Sequence, residues 1–178
     1  DIFRKEYSPS EISAVLSKYN LVSGYFYHGG GIEKRKNTEL LLRSYAALKR
    51  ECVGRSIPPL VISGFIHDER NPLAYPLERR IRELGFEREE VRLLGEVPKK
   101  DLPALYQAAR LFLYPSRYEG FGLPVLEAFA SGTPVVTTKA GSLGELVQDS
   151  AITLDPDDET GLQEILFQSV QEKNTFSD

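Results

Sequence analysis

Leu111-Phe112-Leu113-Tyr114-Pro115-Ser116-Arg117-Tyr118-Glu119-Gly120-Phe121-Gly122-Leu123-Pro124-Val125-Leu126-Glu127 joins an apolar tetrapeptide to a helix-like segment through two glycines. Residues 111–114 read as a buried strand, and residues 124–130 as the helix that follows it. Gly120 and Gly122 sit where strand hands over to helix, so backbone N–H groups there can approach an anion without hindrance from side chains. Glu119 and Glu127 hold carboxylates at the same mouth. Amides for phosphate beside carboxylates for hydroxyls suit a ligand that carries both, and a sugar nucleotide is such a ligand.

Outward from this stretch the chain alternates short apolar runs with helical patterns. Ser8-Pro9-Ser10-Glu11 has the form of a capping box with proline at the first helical position, predicting a short helix to about Lys18. A strand over residues 24–28 meets the break Gly29-Gly30-Gly31. Leu41, Leu42, Tyr45 and Leu48 then mark one face of a helix over residues 37–49. Further strands are expected at 60–63, 91–94, 135–138 and 151–154, and further helices at 77–84, 101–109, 142–147 and 160–170. Asp101 reads as an N-cap, Gly85 as a helix stop, and 65–76 as a loop with two prolines. Six strands alternating with helices predict an α/β fold with a mostly parallel sheet, doubly wound and Rossmann-like. Such sheets bind ligands beyond the carboxyl ends of their strands, where strand order reverses. The two oddest loops, 29–37 and 119–123, fall on that edge.

The chain has 178 residues, enough for one domain with a real core, and a net charge of −4. The absence of a basic excess argues against a general nucleic-acid surface. Cys52 is the only cysteine, which rules out a disulfide framework or a thiolate metal cluster within the chain. No apolar run approaches the roughly 20 residues of a membrane span, and the charged opening does not read as a signal peptide. A cytoplasmic setting is expected, at most peripheral to the inner face of a membrane.

The pieces Gly29-Gly30-Gly31-Ile32-Glu33-Lys34-Arg35-Lys36-Asn37, Val91-Arg92-Leu93-Leu94-Gly95-Glu96-Val97, Tyr114-Pro115-Ser116, the 119–127 segment, Gly132-Thr133-Pro134-Val135-Val136 and Ser142-Leu143-Gly144-Glu145 occur in one order across nearly residues 20–170. With residues 102–106 they resemble the C-terminal, nucleotide-binding half of a family 4 (group 1) retaining glycosyltransferase of the two-domain GT-B fold. The resemblance implies a division into residues 1–23 (linker and leading helix), 24–172 (donor-binding domain) and 173–178 (frayed tail), with the N-terminal acceptor-binding domain absent from this chain. It implies that Lys36 binds the donor diphosphate, that Glu119 contacts the donor sugar, and that Glu127 takes the ribose hydroxyls; Lys36 and Glu119 are the catalytic candidates. Gly120, Phe121, Gly122 and Leu123 would face phosphate and sugar through their backbone, and Val97 would touch the base. Many relatives carry an arginine where this chain has Gly30, and Arg35 is the candidate substitute. The donor implied is a nucleoside diphosphate sugar, GDP-mannose or a UDP-hexose being favoured, with no cofactor and no metal. Membrane contact would come only through the missing half, and cell-envelope polysaccharide or glycoconjugate synthesis is the implied setting.

Other readings of the same residues compete. The glycine run lacks the third glycine of the dinucleotide fingerprint, and Arg35 occupies the glycine position a P-loop needs before Lys36. His28 and His67 read as structural or exposed, Cys52 as a small residue near a helix end, and Asp155-Pro156-Asp157 as a turn and cap rather than a metal-binding pair. Glu145 divides evenly between a donor-side role and a cap. A sugar-nucleotide epimerase, a phosphorylase half and a non-catalytic binding module remain as alternatives, and the isolated domain is expected to bind nucleotide without efficient turnover.

Overall fold

In a computed structural model, which describes residues 2–68, 70–148 and 150–171, six parallel strands form one sheet in the order β3-β2-β1-β4-β5-β6. They are β1 (Tyr25–His28), β2 (Leu60–Ser63), β3 (Val91–Gly95), β4 (Ala109–Tyr114), β5 (Val135–Thr138) and β6 (Ile152–Leu154). Every pairing is parallel, with Phe26 opposite Leu60 on one side and Leu111 on the other. The helices are α1 (Pro9–Lys18), α2 (Thr38–Glu51), α3 (Leu77–Glu83), α4 (Leu102–Ala108), α5 (Leu123–Ala130), α6 (Leu143–Val147) and α7 (Glu159–Gln171). The doubly wound α/β expectation is met, with boundaries moved by one or two residues. The expected frayed tail, 173–178, lies outside the described residues. Among the described residues no helix is long and apolar enough to cross a membrane.

The strand pleat divides the core. Phe26, Leu60, Ile62, Leu111 and Leu113 pack with Leu41, Leu42, Tyr45 and Leu48 of α2 and with Leu162 and Leu166 of α7 on one face. Tyr25, Tyr27, Phe112 and Tyr114 meet Leu105 and Tyr106 of α4, Val125 and Ala128 of α5, and Leu143 of α6 on the other. Because both faces are covered, the central strands are buried throughout, as their continuous apolar runs require. Each fully buried leucine contributes on the order of 2 kcal/mol, and truncating Leu41 to alanine would cost about 2–5 kcal/mol through lost transfer and the cavity left behind.

Local chemistry sets most helix ends. Ser8 Oγ accepts from Glu11 N at 3.3 Å while Glu11 Oε2 accepts from Ser8 N at 2.8 Å, completing the capping box. Gly85 takes φ +69° just past α3, and Phe86 N donates back to Ile81 O. Asp101 departs from expectation. Its backbone is already helical, and its buried carboxylate accepts from Tyr19 Oη at 2.9 Å and pairs with Lys18 Nζ at 3.2 Å. Docking α1 competes with capping, and docking wins. Asn37 is likewise not the first residue of α2. It stands at φ +58° between a 3-10 turn (Lys34–Lys36) and the helix, its amide donating to Pro115 O and Pro156 O. The loop after β2 is more ordered than its prolines suggested: Ile32 bridges Ile66, Glu33 bridges Ala74, and a Cβ on Gly64 would lie 2.3 Å from Gly31 N.

His28, the last residue of β1, is fully buried and structural. Its Nδ1 lies 2.8 Å from Leu113 O, which can only accept, so the neutral ring carries its proton there and Nε2 accepts from Thr38 Oγ1 at 3.2 Å. Burial pushes its pKa down to about 4, against the Leu113 carbonyl and with help from Lys36. The unfolded chain therefore binds a proton near pH 6.5 that the folded chain refuses until about pH 4. Stability contributed by neutral His28 is full above pH 6.5 and lost as the pH falls to 4, about 3 kcal/mol in all. Urea titrations of wild type and His28→Gln between pH 7.5 and 4 check this; the wild type should lose that much more stability than the variant.

Candidate functional site

Strand order reverses between β1 and β4, and the chain leaves their carboxyl ends in opposite directions: α2 covers one face and α5 the other. The departing loops open a crevice at the rim. They also touch. Gly30 has φ +93°, and a Cβ there would stand 2.8 Å from Pro124 Cγ in the first turn of α5. That turn begins at Gly122, left-handed at φ +84°, whose side-chain position is closed by Leu143 at 2.6 Å. No side chain caps α5, so the positive end of the helix faces the crevice.

The cation run Lys34–Lys36 itself forms a 3-10 turn that buries Lys36, leaving it 3% exposed. Lys36 Nζ lies 2.8 Å from Glu119 Oε1, joining residues 83 positions apart in the chain. It also donates to Tyr114 Oη, with the tyrosine ring centroid 4.6 Å away. The same Glu119 oxygen accepts from Tyr114 Oη at 3.0 Å and Ser116 Oγ at 2.7 Å, and pairs with Arg35 Nη1 at 3.0 Å. Arg35 Nε is held by Glu33 Oε2 at 2.6 Å. Burial would raise the Glu119 carboxyl, but Lys36, Ser116 and Tyr114 outweigh it and hold the group below its ordinary range. Burial draws the Lys36 ammonium below its ordinary value, and Glu119 opposes that shift. The Glu119 backbone is pinned as well: Ser142 N and Oγ donate to its carbonyl, and Gly141 (φ +61°) passes so close that a Cβ would meet that oxygen at 2.5 Å.

Glu127 occupies a different part of the rim. It is half-buried on α5, and Tyr106 Oη of α4 donates to its Oε2 at 3.2 Å. Burial raises its pKa, while Tyr106 and nearby Lys99 work against the rise. Val97, in the loop before α4, packs half-buried against the same face of the core as Tyr106. The structure thus brings Lys36, Arg35 and Glu119 into one cluster, sets Gly30 against the first turn of α5, and leaves Glu127 against Tyr106 of α4. Phe121 and Leu123 are each 60% exposed, and Gly120 is exposed beside them.

Tyr114 and Glu33 lie within the pieces that carry the resemblance, but neither has a role assigned by the sequence; for Tyr114 the one available signal is a hydroxyl closing an otherwise apolar run. Glu145 is exposed on α6. His67 is half-buried, 3.7 Å from Glu33. Asp155 Oδ1 accepts from Asp157 N in the turn expected there, while the cap at the head of α7 comes from the next residue, Asp158, whose Oδ1 accepts from Gly161 N. Cys52 is buried at the end of α2.

The model of the family "Glycosyl transferases group 1" matches residues 23–173. The chain is 45% identical over 166 residues to the O-antigen chain mannosyltransferase B of Escherichia coli, covering 93% of this chain and 42% of that protein. It is 30% identical over 171 residues to the serotype-specific mannosyltransferase WbdA of E. coli, covering 94% of this chain and 20% of that one. Its fold superposes on the crystal structure of Anabaena HepE in complex with UDP and glucose with a TM-score of 0.79 at 25% identity, over 97% of this chain and 46% of HepE. The chain spans less than half the length of each of these relatives.

The buried cluster makes a stability prediction. Glu119→Gln removes the carboxylate from a lysine that is almost wholly buried, which costs about 3 kcal/mol at pH 7. Since the Glu119 carboxyl is held below its ordinary 4.5, the wild-type advantage is full above pH 4.5 and declines as the pH falls beneath it. Denaturant midpoints of the two proteins at pH 7 and pH 3.5 read both effects. Equal midpoints at pH 7 would contradict the account.

Proposed function

Because the chain belongs to the group 1 glycosyltransferases, we infer that it is the donor-binding domain of an enzyme that moves a hexose from a nucleoside diphosphate sugar to an acceptor hydroxyl. The observation that carries this reading is the meeting of Lys36, Arg35 and Glu119 at the mouth between β1 and β4. Two cations and an uncapped helix start converge where a diphosphate would lie, and Glu127 stands to one side where a ribose would reach it. Mannose is the favoured sugar, supported by the names of the two E. coli relatives, and GDP-mannose is the first donor to test. A UDP-hexose is second, supported by the UDP and glucose bound to HepE. Synthesis of an O-antigen-like polysaccharide is the setting proposed, on the cytoplasmic side, with any membrane contact made through an N-terminal domain.

In the proposed reaction the acceptor oxygen bonds to the anomeric carbon as the bond from that carbon to the β-phosphate oxygen breaks. The acceptor's proton passes to the departing phosphate, on the same face of the sugar, which retains configuration. Negative charge grows on the β-phosphate as the bond opens. Lys36 supplies a point charge, Arg35 a planar fork, and α5 its positive end, all in place before the step. These side chains carry the charge that a divalent cation supplies in metal-dependent transfer. Glu127 has an oxygen for each hydroxyl of a vicinal diol. The acceptor would be presented by the second domain, so this domain alone is expected to bind donor and turn over poorly.

Calorimetric titration with GDP, UDP and dTDP tests the reading. Lys36→Ala should weaken the preferred diphosphate roughly tenfold or more, from the approximately 1.5–3 kcal/mol of a hydrogen bond to a charged group. Glu127→Ala should weaken nucleoside and nucleotide alike. Wild-type affinity should rise with pH through the raised Glu127 pKa, since the diol favours the ionised carboxylate and its binding releases a proton. Affinity indifferent to Lys36 and Glu127 would remove the donor-site assignment.

A further inference from the structure

We propose that Tyr114 is a positioning residue for the donor site, holding Glu119 in place when the cations leave it for the diphosphate; this rests on the donor-site reading above. In the ligand-free arrangement one oxygen, Glu119 Oε1, is shared by two cations, Lys36 and Arg35, and two hydroxyls, those of Tyr114 and Ser116. A carboxylate oxygen has two lone pairs, so this set of donors oversubscribes it. The two cations crowd one oxygen, and a diphosphate brings them fresh acceptor oxygens. Once they turn away, the two hydroxyls remain and match the two lone pairs. Glu119 then keeps its place, its carboxyl still anchored by two hydroxyls.

Tyr114 fits this task better than Ser116. It is fully buried on β4, stacked on Phe112 at 5.6 Å, and its hydroxyl works in both directions. The O–H donates to Glu119, and the oxygen accepts from Lys36, so the lysine is held beside the carboxylate without belonging to it alone. The ring passes 3.7 Å from the Cβ position of Gly30. One side chain therefore touches the glycine turn, the lysine and the glutamate. Ser116 Oγ has one proton and divides it among Glu119, Arg35 O and Tyr118 O. Without the Tyr114 hydroxyl, Lys36 would collapse onto Glu119, and pulling it away would leave the carboxylate a donor short.

The test compares whichever of GDP or UDP the wild type binds more tightly with its own monophosphate, by calorimetry, with thermal melting as the fold check. Tyr114→Phe keeps the ring and removes the hydroxyl. It should weaken the diphosphate roughly tenfold and the monophosphate less than about threefold. On a Lys36→Ala background it should add almost nothing, because it acts through that lysine. Equal losses for both nucleotides, or a full additional loss on the Lys36→Ala background, would overturn the proposal. If Tyr114→Phe does not fold, Ser116→Ala decides in the same comparison: a smaller but still diphosphate-selective loss supports the shared hydroxyl support, and an unselective one overturns it. A wild type with no preference for diphosphate over monophosphate would sink the donor-site reading itself, which separates that failure from failure of the Tyr114 role.

Discussion

One carboxylate oxygen, Glu119 Oε1, ties together the parts of the rim that the fold delivers separately. Lys36 and Arg35 arrive from the loop after β1, Tyr114 from the end of β4, and Ser116 from the loop beyond it. The Glu119 carbonyl accepts from Ser142, which follows β5. Three adjacent strand ends are thereby fixed to a single residue. Removing two charges from water is costly and is tolerated only when each remaining lone pair and proton finds a partner. Here the hydroxyls complete that requirement, and the ionised pair persists inside the protein at the mouth where a ligand enters.

The glycines follow from the same constraint. The loops after neighbouring strands β2, β1, β4 and β5 must approach more closely than side chains permit. Gly30 lies against Pro124, Gly64 against Gly31, and Gly141 against the Glu119 carbonyl. A methyl group at any of these places would push backbone away from the crevice. Close approach sets the Gly30 turn against the first turn of α5, whose start no side chain caps. Glu127 is placed by a different rule. It sits one turn into α5 and leans on Tyr106, so its distance from the lysine is governed by the helix rather than by the charge cluster.

The architecture was readable in the sequence because strands buried on both faces leave continuous apolar runs, and because the capping box at Ser8 and the stop at Gly85 are local signals. The site was readable in part. Glu119, Lys36 and Glu127 announced themselves by spacing and by the family pattern, and the structure brings the first two into contact. Tyr114 belongs to a stretch that carries the resemblance, yet its contact with Lys36 and Glu119 is not legible there, since a tyrosine that ends a buried strand satisfies the apolar pattern and its hydroxyl has no one-dimensional signature. Asp101 departs from its reading for a related reason: it has the right chemistry to cap a helix, but Tyr19 and Lys18 claim it. Asn37, read as the first residue of a helix, instead precedes it with its amide claimed by Pro115 and Pro156. Local preference is weak beside a buried polar group's need for a fixed partner.

On the donor-site reading, the basic groups now gathered on Glu119 move to a diphosphate when it binds. The most direct measurement is a crystal structure of this domain soaked with GDP or UDP. The predicted result shows the diphosphate over Gly30 and the first turn of α5, with Lys36 Nζ moved from Glu119 onto a phosphate oxygen, Glu119 still held by Tyr114 and Ser116, and the ribose on Glu127. A nucleotide bound elsewhere, or one bound at the rim with Lys36 still closed on Glu119, would contradict it.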